Sequence, residues 1–321
     1  MPRLGPLFLL SLSVALAAYM LSPAIQSIFE TVAAKLAGYT SNYADLATIK
    51  KPRMPVYFFS HGGPDVMYNK SHPVYPTLQH IGAEITSLRP AAVLIFSAHW
   101  QSRTPVSILV NSAPSAPLIY DFSGFPLHYY SAKYPNIGSP ALAARVCTLV
   151  ASHDIPCDTT ERGLDHGVWA GFHVAFHPDE NPLGVPIVQA SLFRSEDPDA
   201  HYRLGRAVSA LRDEGVVVIG AGMSVHNLHH MDSGPEPLPY AVSFDDALKE
   251  AVEAGVDERQ EKMAQVCSRP DAKQAHPWMD HLMPVHVAAG AAGDDLGKQL
   301  WTMKEGSFAW AQYRFGPLPG S

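Results

Sequence analysis

The chain has 321 residues, of which 47% are hydrophobic and 17% are charged, and its formal net charge is −7. The hydrophobic fraction is sufficient for a large core, and a negative chain without a lysine or arginine cluster argues against nucleic acid as a partner. Cys147, Cys157 and Cys267 form no CxxC pair. The sequence therefore disfavours a disulfide framework and a thiolate zinc site. Its unusual feature is the number of histidines, 16.

The chain begins with an apolar stretch. Residues 4–29 contain no charged side chain, and Arg3 precedes them. A stretch of more than about 18 apolar residues is typical of a transmembrane helix, so we predict an N-terminal hydrophobic helix that anchors the protein in a membrane, in an orientation left open. A cleaved signal peptide, which would give a secreted protein, and an ordinary buried helix are the alternatives. We therefore divide the chain into residues 1–50, an anchor or signal segment with a linker, and a catalytic domain at residues 51–321.

The rest of the chain alternates between apolar runs of strand length and segments with helical periodicity. The predicted strands are 55–60, 91–98, 105–110, 186–192, 215–222 and 306–315. The predicted helices are 76–88, 141–153, 201–212, 244–262 and 280–292. This alternation predicts a single-domain α/β fold with a central mixed or parallel sheet and helices on both of its faces.

Histidines follow three of the predicted strands. His61 and His99 come directly after the first and second strands, and the fifth strand leads to His226. A fourth candidate, His166, lies in the predicted loop before strand 186–192. A lone histidine at a strand end usually has a structural role. Ligands of open α/β sheets bind at the carboxyl ends of the strands, and three histidines at that one edge are not expected by chance. The pattern predicts a site for one divalent metal ion, because neutral imidazole is a common ligand of zinc and iron.

Other catalytic motifs do not fit. The sequence has no HExxH, no GxSxG and no P-loop, and Gly220-Ala221-Gly222 lacks the rest of a dinucleotide fingerprint. No binding site for an organic cofactor is predicted.

Several sequence blocks together carry a resemblance to a known family. They are SHGGP at 60–64, SAHW at 97–100, YDFSGFP at 120–126, DHGVW at 165–169, VHNL at 225–228 and DHLMPVHVAAGAA at 280–292. In this order they resemble the class III extradiol ring-cleavage dioxygenases, and more closely the 4,5-DOPA extradiol dioxygenase-like branch. The family's first block usually reads His-Gly-Ser-Pro, and Gly63 stands here in place of that serine.

The resemblance implies roles for individual residues. His61, His99 and His281, the last in a late helix, match the family's metal ligands. His226 matches a histidine at the metal that acts as an acid/base or as a further ligand. His166 matches a histidine that helps to handle protons and substrate. The implied metal is Fe(II) for activity, although a set of three histidines also suits Zn(II).

The resemblance also implies a reaction, in which a DOPA-like catechol is cleaved with O2 and both oxygen atoms enter the product. Pocket walls are expected from aromatic residues, namely Tyr120, Phe122, Phe125, Tyr129, Tyr130, Trp100 and Trp169. Asp165 and Asp280 precede proposed site histidines and are either their hydrogen-bond partners or ordinary caps and surface charges. A zinc-dependent hydrolase and a non-catalytic metal-pocket binding protein remain alternatives. The exact catechol, the cleavage position and the oligomeric state stay open.

Overall fold

A computed structural model describes residues 53–318 of the chain. The predicted N-terminal anchor, residues 4–29, lies outside the described residues, and the proposed division at residue 50 stays a prediction. Within residues 53–318, no helix combines the length and the apolar character that crossing a membrane requires. This finding corrects the predicted membrane location.

The central feature is an eight-stranded mixed sheet. Its strands, in spatial order, are β4 (Cys157–Thr160), β3 (Ile108–Asn111), β5 (Ile187–Leu192), β2 (Ala92–Gln101), β6 (Val216–Gly222), β1 (Val56–Ser60), β11 (Gln312–Phe315) and β8 (Gly297–Trp301). The four central strands β5, β2, β6 and β1 run parallel, whereas β3 against β5 and β11 against both neighbours are antiparallel. The predicted α/β architecture is therefore confirmed, in its mixed form.

Helices cover both faces of this sheet. They are α1 (Val74–Ser87), α2 (Pro140–Ala151), α3 (His166–Ala175), α4 (Pro198–Val208), α5 (Pro239–Val252), α6 (Val256–Cys267), the short α7 (Ala272–Ala275) and α8 (Met283–Ala291). Short 3-10 helices lie at Pro64–Met67, Leu127–Ser131, Ser209–Glu214 and Leu228–His230. Buried side chains of α1 and α3 pack on one face of the sheet, and those of α2, α4, α5, α6 and α8 pack on the other.

The alternation of side chains along each central strand supports this layering. In β1, Phe58 belongs to one apolar core, whereas its neighbours Tyr57 and Phe59 belong to the core on the opposite face. Successive side chains of a strand point to opposite faces, so a strand covered by helices on both sides must be apolar throughout. This is why the central strands read as continuous apolar runs in the sequence.

Several predicted boundaries are wrong. The single helix expected at 244–262 is two helices, α5 and α6, because the chain turns at Glu253–Gly255. His166 lies in the first turn of α3 and not in a loop, and His281 precedes α8, which starts only at Met283. The single closing strand expected at 306–315 is two strands in different sheets.

A small second sheet accounts for the rest of that closing segment. It has three antiparallel strands in the order β7 (Val225–His226), β10 (Phe308–Ala309) and β9 (Lys304–Glu305). Strands of two residues leave almost no periodic signal in a sequence, and none of the three was predicted as a separate element.

The cysteine prediction also needs a correction. Cys147 and Cys157 form a disulfide that joins α2 to β4. Their Cα atoms lie 5.2 Å apart, within the usual range for a disulfide. An odd number of cysteines excludes full pairing but not one pair, and Cys267 is the cysteine left free.

Candidate metal centre

Three histidines from distant parts of the sequence converge at the carboxyl ends of the central strands. One ring nitrogen from each of His61, His99 and His281 lies within 4.8 Å of the other two. The ring centroids of His61 and His99 are 5.2 Å apart, and that of His281 lies 5.6 Å from the first and 4.9 Å from the second. A single ion between the three nitrogens is within common reach.

His61 is placed by the end of β1. Its backbone N–H donates to the carbonyl of Gly222 at the end of β6 (3.0 Å), which prolongs the parallel pairing of the two strands. Gly62 then turns the chain with φ +65°, and a Cβ atom there would lie 2.4 Å from the Trp310 ring. Glycine is required at 62 because the conformation is left-handed and because the indole packs directly on the backbone.

His99 and His281 approach from two other elements. His99 lies within β2, beyond the segment that pairs with β6. His281 stands in the turn before α8, and its carbonyl accepts a hydrogen bond from the N–H of Met223 (3.0 Å). A Cβ atom on Gly222 would lie 2.1 Å from that carbonyl oxygen, so the close approach of this turn to the strand end depends on glycine.

The rings are oriented by hydrogen bonds to their Nδ1 atoms. These partners are the Gly62 carbonyl for His61 (2.6 Å), Asp121 Oδ2 for His99 (3.1 Å) and Asp280 Oδ1 for His281 (3.0 Å). Each Nδ1 must therefore donate a proton, which leaves the lone pair on Nε2. The Nε2 atoms of His61 and His99 are buried without a hydrogen-bond partner, a costly state that a bound cation relieves. The residues present therefore fit a metal ion.

The electrostatic environment keeps two of these rings neutral. Burial, followed by the neighbouring imidazoles, lowers the pKa of His61 well below its usual value. The same two causes lower the pKa of His281, with His226 as the main neighbouring ring. Neutral imidazole is the form that ligates a metal, so the buried setting suits that task.

A carboxylate that sequence reasoning missed links this cluster to His166. One oxygen of Asp121 contacts Nδ1 of His99, and the other accepts from both Nδ1 (3.0 Å) and the backbone N–H (3.0 Å) of His166. Although burial raises it, hydrogen bonds from both rings hold the pKa of Asp121 below its usual range. The only available signal was that Asp121 is the single carboxylate in the aromatic block 120–126.

His226 lies beside the three converging histidines. Its ring stacks on that of His281, with centroids 3.7 Å apart and an angle of 10° between the planes. Burial is the main cause that lowers its pKa to about 3, and nearby histidines add to this effect. His226 is not one of the three residues whose nitrogens converge, although it lines the same cavity.

The cavity in front of these histidines has a volume of about 730 Å³. Of the aromatic residues expected in its wall, Phe122 and Phe125 line it, together with Phe308 and Trp310, which sequence reasoning missed. Tyr129 and Tyr130 instead stand behind them, with ring centroids 5.2 Å from Phe125 and 5.0 Å from Phe122 respectively. Tyr120 likewise packs outside the cavity and donates to the carbonyl of Ala132 (2.8 Å). The cavity is therefore lined by aromatic rings as well as by imidazoles.

Two expected wall residues are structural. Trp169 is fully buried in the core and donates to the carbonyl of Ile119 (3.0 Å), and Trp100 stacks under the guanidinium of Arg162. Neither lines the cavity.

The two aspartates that precede site histidines differ. Asp280 accepts from Nδ1 and the backbone N–H of His281, as a partner of that ring would. Asp165 is fully buried and accepts hydrogen bonds from Ser97, Arg162 and Gln189. It therefore fixes the elements beneath the site and makes no hydrogen bond to His166.

Comparison with known proteins agrees with this geometry. The family model described as the catalytic LigB subunit of aromatic ring-opening dioxygenase matches residues 55–316. The chain is 35% identical over 268 residues to the 4,5-DOPA dioxygenase extradiol of Beta vulgaris, covering 81% of this chain and 95% of that protein. It is 34% identical over 248 residues to the protein of the same name from Escherichia coli strain K12, covering 74% of this chain and 85% of the relative.

A solved structure has the same fold. The crystal structure of an uncharacterized protein from Escherichia coli K12 superposes with a TM-score of 0.67 at 28% sequence identity. The match covers 82% of this chain and all of the other.

Proposed function

We propose a substrate and a metal for this chain, which belongs to the LigB family of aromatic ring-opening dioxygenases and is an extradiol ring-cleavage dioxygenase acting on an aromatic substrate with O2. The proposed substrate is a DOPA-like catechol, and the proposed metal is Fe(II). The observation that supports this most is the convergence of one ring nitrogen each from His61, His99 and His281, with Nε2 of the first two buried and without a hydrogen-bond partner. Three protein ligands leave positions for two further molecules.

The choice of metal follows from the reaction. Zinc has no redox chemistry, whereas ring opening requires electrons from the catechol to reach dioxygen. Fe(II), when bound, would hold both catechol oxygens and bring dioxygen next to the ring, which is chiefly a proximity effect. Asp121 and Asp280 support this role, because each fixes the proton of a ligating imidazole on Nδ1.

Proton transfer falls to the two histidines that line the cavity without belonging to the trio. A catechol must lose a phenolic proton on binding, and the opened product must later gain one. His166, whose Nδ1 is held by Asp121, presents Nε2 as the nitrogen available to the substrate. His226 lies against His281 at the edge of the site, and we assign it the acid/base role with His166 assisting.

The test is oxygen consumption by protein purified without air and loaded with Fe(II). A panel of catechols that includes DOPA is offered, and the ring-opened product is followed by its visible absorbance. We expect O2 uptake and product in equal amounts with Fe(II), and neither with Zn(II). Failure of every catechol under reducing conditions would refute the proposed function.

A further inference from the structure

The wall of the cavity away from the metal centre carries negative charge only. The charged side chains of the described residues that line the cavity are Asp65, Asp121 and Glu305, and neither lysine nor arginine is among these lining residues. Asp121 is committed to the rings of His99 and His166. Asp65 and Glu305 therefore remain to meet the part of a substrate that points away from the metal.

The small second sheet places Glu305 and His226 on the same cavity. His226, Phe308 and Glu305 are register partners on its three adjacent strands, and all three line the cavity. Partners in register project from the same face of a sheet, and neighbouring strands are ~4.8 Å apart. The backbone of Glu305 thus stands roughly 10 Å from that of His226, and both residues border the same cavity.

The carboxylate of Glu305 is held in place by its neighbours. Nδ1 of His72 accepts from the N–H of Val74 (3.2 Å), so the ring proton is on Nε2, which lies 3.4 Å from Glu305 Oε2. The His72 ring packs on Trp310, with centroids 4.5 Å apart. One carboxylate oxygen is therefore engaged, and the charge remains available to a ligand in the cavity.

A side chain that carries a carboxylate and no ammonium group would find no lysine or arginine among the described residues of this wall. Besides imidazoles and backbone amides, the polar groups there belong to Asn69, Ser307 and Trp310, which are uncharged, and the anion would be placed beside two carboxylates. Two unit charges of like sign repel even near a surface, whereas a cation is attracted and can also lie against the faces of Phe308 and Trp310.

We propose that this cavity selects catechols whose side chain carries an ammonium group, that it discriminates against those whose side chain carries a carboxylate alone, and that Glu305 is the residue that contacts the ammonium. This inference rests on the proposed function for its catechol part. It identifies the ammonium of a DOPA-like catechol as the recognised group and makes Glu305 a specificity-determining residue.

The experiment compares three catechols that differ mainly in side-chain charge. They are dopamine (cationic), 4-ethylcatechol (neutral) and 3-(3,4-dihydroxyphenyl)propionate (anionic). With the Fe(II)-loaded full chain we expect kcat/KM to fall in that order, by about three- to tenfold at each step, and the differences to shrink as salt is added. Equal values for the three, or a preference for the anion, would overturn the proposal.

Substitutions test whether Glu305 causes the preference for the cationic catechol. Glu305→Gln should reduce the ratio of kcat/KM for dopamine over that for 4-ethylcatechol by about three- to tenfold, and Asp65→Asn should reduce it less because Asp65 is more exposed. Glu180→Gln, at an exposed carboxylate outside the cavity, is the matched control and should leave the ratio unaltered. An unchanged ratio in Glu305→Gln would remove that residue from the proposal.

A binding measurement separates this inference from the proposed reaction. Phenethylamine and 3-phenylpropionate cannot be ring-opened, and their affinities can be measured calorimetrically. We expect phenethylamine to bind more tightly to the wild type and to lose this advantage in Glu305→Gln. If no catechol is cleaved but phenethylamine is preferred, the proposed function fails and the charge selection stands. If catechols are cleaved and phenethylamine binds no more tightly than the anion, the charge selection fails.

Discussion

The imidazole of His226 lies flat on that of His281, with ring centroids 3.7 Å apart and planes 10° from parallel. The His281 ring is also held by Asp280, which accepts a hydrogen bond from its Nδ1. His226, the proposed proton carrier, is therefore in van der Waals contact with His281, a proposed metal ligand. His226 is not one of the three residues whose ring nitrogens converge.

This stack predicts that ligand and acid/base roles can be separated by substitution. His226→Phe preserves a flat ring against His281 but removes the titratable nitrogens. We expect near-normal metal content and a fall in kcat of about 10²–10⁴-fold, the usual contribution of a general acid or base. Metal content and steady-state kinetics are measured on the same preparation. Loss of the metal in His226→Phe would instead make His226 a ligand.

Removal of one converging imidazole should abolish metal binding. His99→Ala deletes a ligand whose Nε2 is buried without another partner, so the metal content should fall from about one ion per chain to near zero. Elemental analysis and circular dichroism report metal and fold separately. His153→Ala is the matched control, because this exposed histidine follows α2 and does not line the cavity. Equal metal content in the two variants would contradict the ligand assignment.

Asp121 should matter to metal binding because it contacts the ring of the proposed ligand His99. The rings of His99 and His166 contact different oxygens of Asp121, and an asparagine at 121 replaces one of these acceptors with an NH2 donor. We expect Asp121→Asn to weaken metal affinity about 10–100-fold, as is usual for the partner of a ligating histidine. Titration of the metal-free protein with Zn(II) or Co(II) gives the affinity independently of turnover. Asp158→Asn, on an exposed part of β4, is the control, and an affinity equal to wild type in Asp121→Asn would exclude the linking role.

The burial of two histidines predicts that the free energy of unfolding decreases in mild acid. Burial is the main cause that lowers the pKa of His201 and of His276 to about 4, from about 6.5 in the unfolded chain. The unfolded chain then takes up protons first as the pH falls. The stabilising contribution of each neutral ring is complete above pH 6.5 and is lost as the pH falls from 6.5 towards 4.

Denaturant unfolding between pH 7.5 and 4.5 measures this effect. His201→Gln should flatten the pH dependence of the unfolding free energy by at most about 3 kcal/mol, while His153→Gln should leave it unchanged. A wild-type slope retained in His201→Gln would show that other groups dominate.

The sequence was informative where a single physical rule applied. Strands covered on both faces must be apolar throughout, so β1, β2, β5 and β6 could be recognised, and with them the sheet edge to which His61 and His99 belong. His281 was reached only through the family resemblance, because it precedes a helix and follows no strand.

The site residues that could not be predicted from the sequence depend on contacts between distant segments of the chain. Asp121 sits in an irregular loop, and nothing local distinguishes a carboxylate that accepts from two histidines from one that faces water. Trp100 and Trp169 were misassigned because proximity in sequence to a site histidine does not decide which face of a strand or helix a side chain occupies. Glu305 and Phe308 lie on strands too short to leave a periodic pattern.

The two sheets of the fold divide the cavity between them. Strands of the large sheet carry His61 and His99 to the proposed metal position, while the three short strands carry Phe308 and Glu305. Side chains on the short strands can therefore be exchanged to redesign substrate preference without altering the strands that bring in these two histidines.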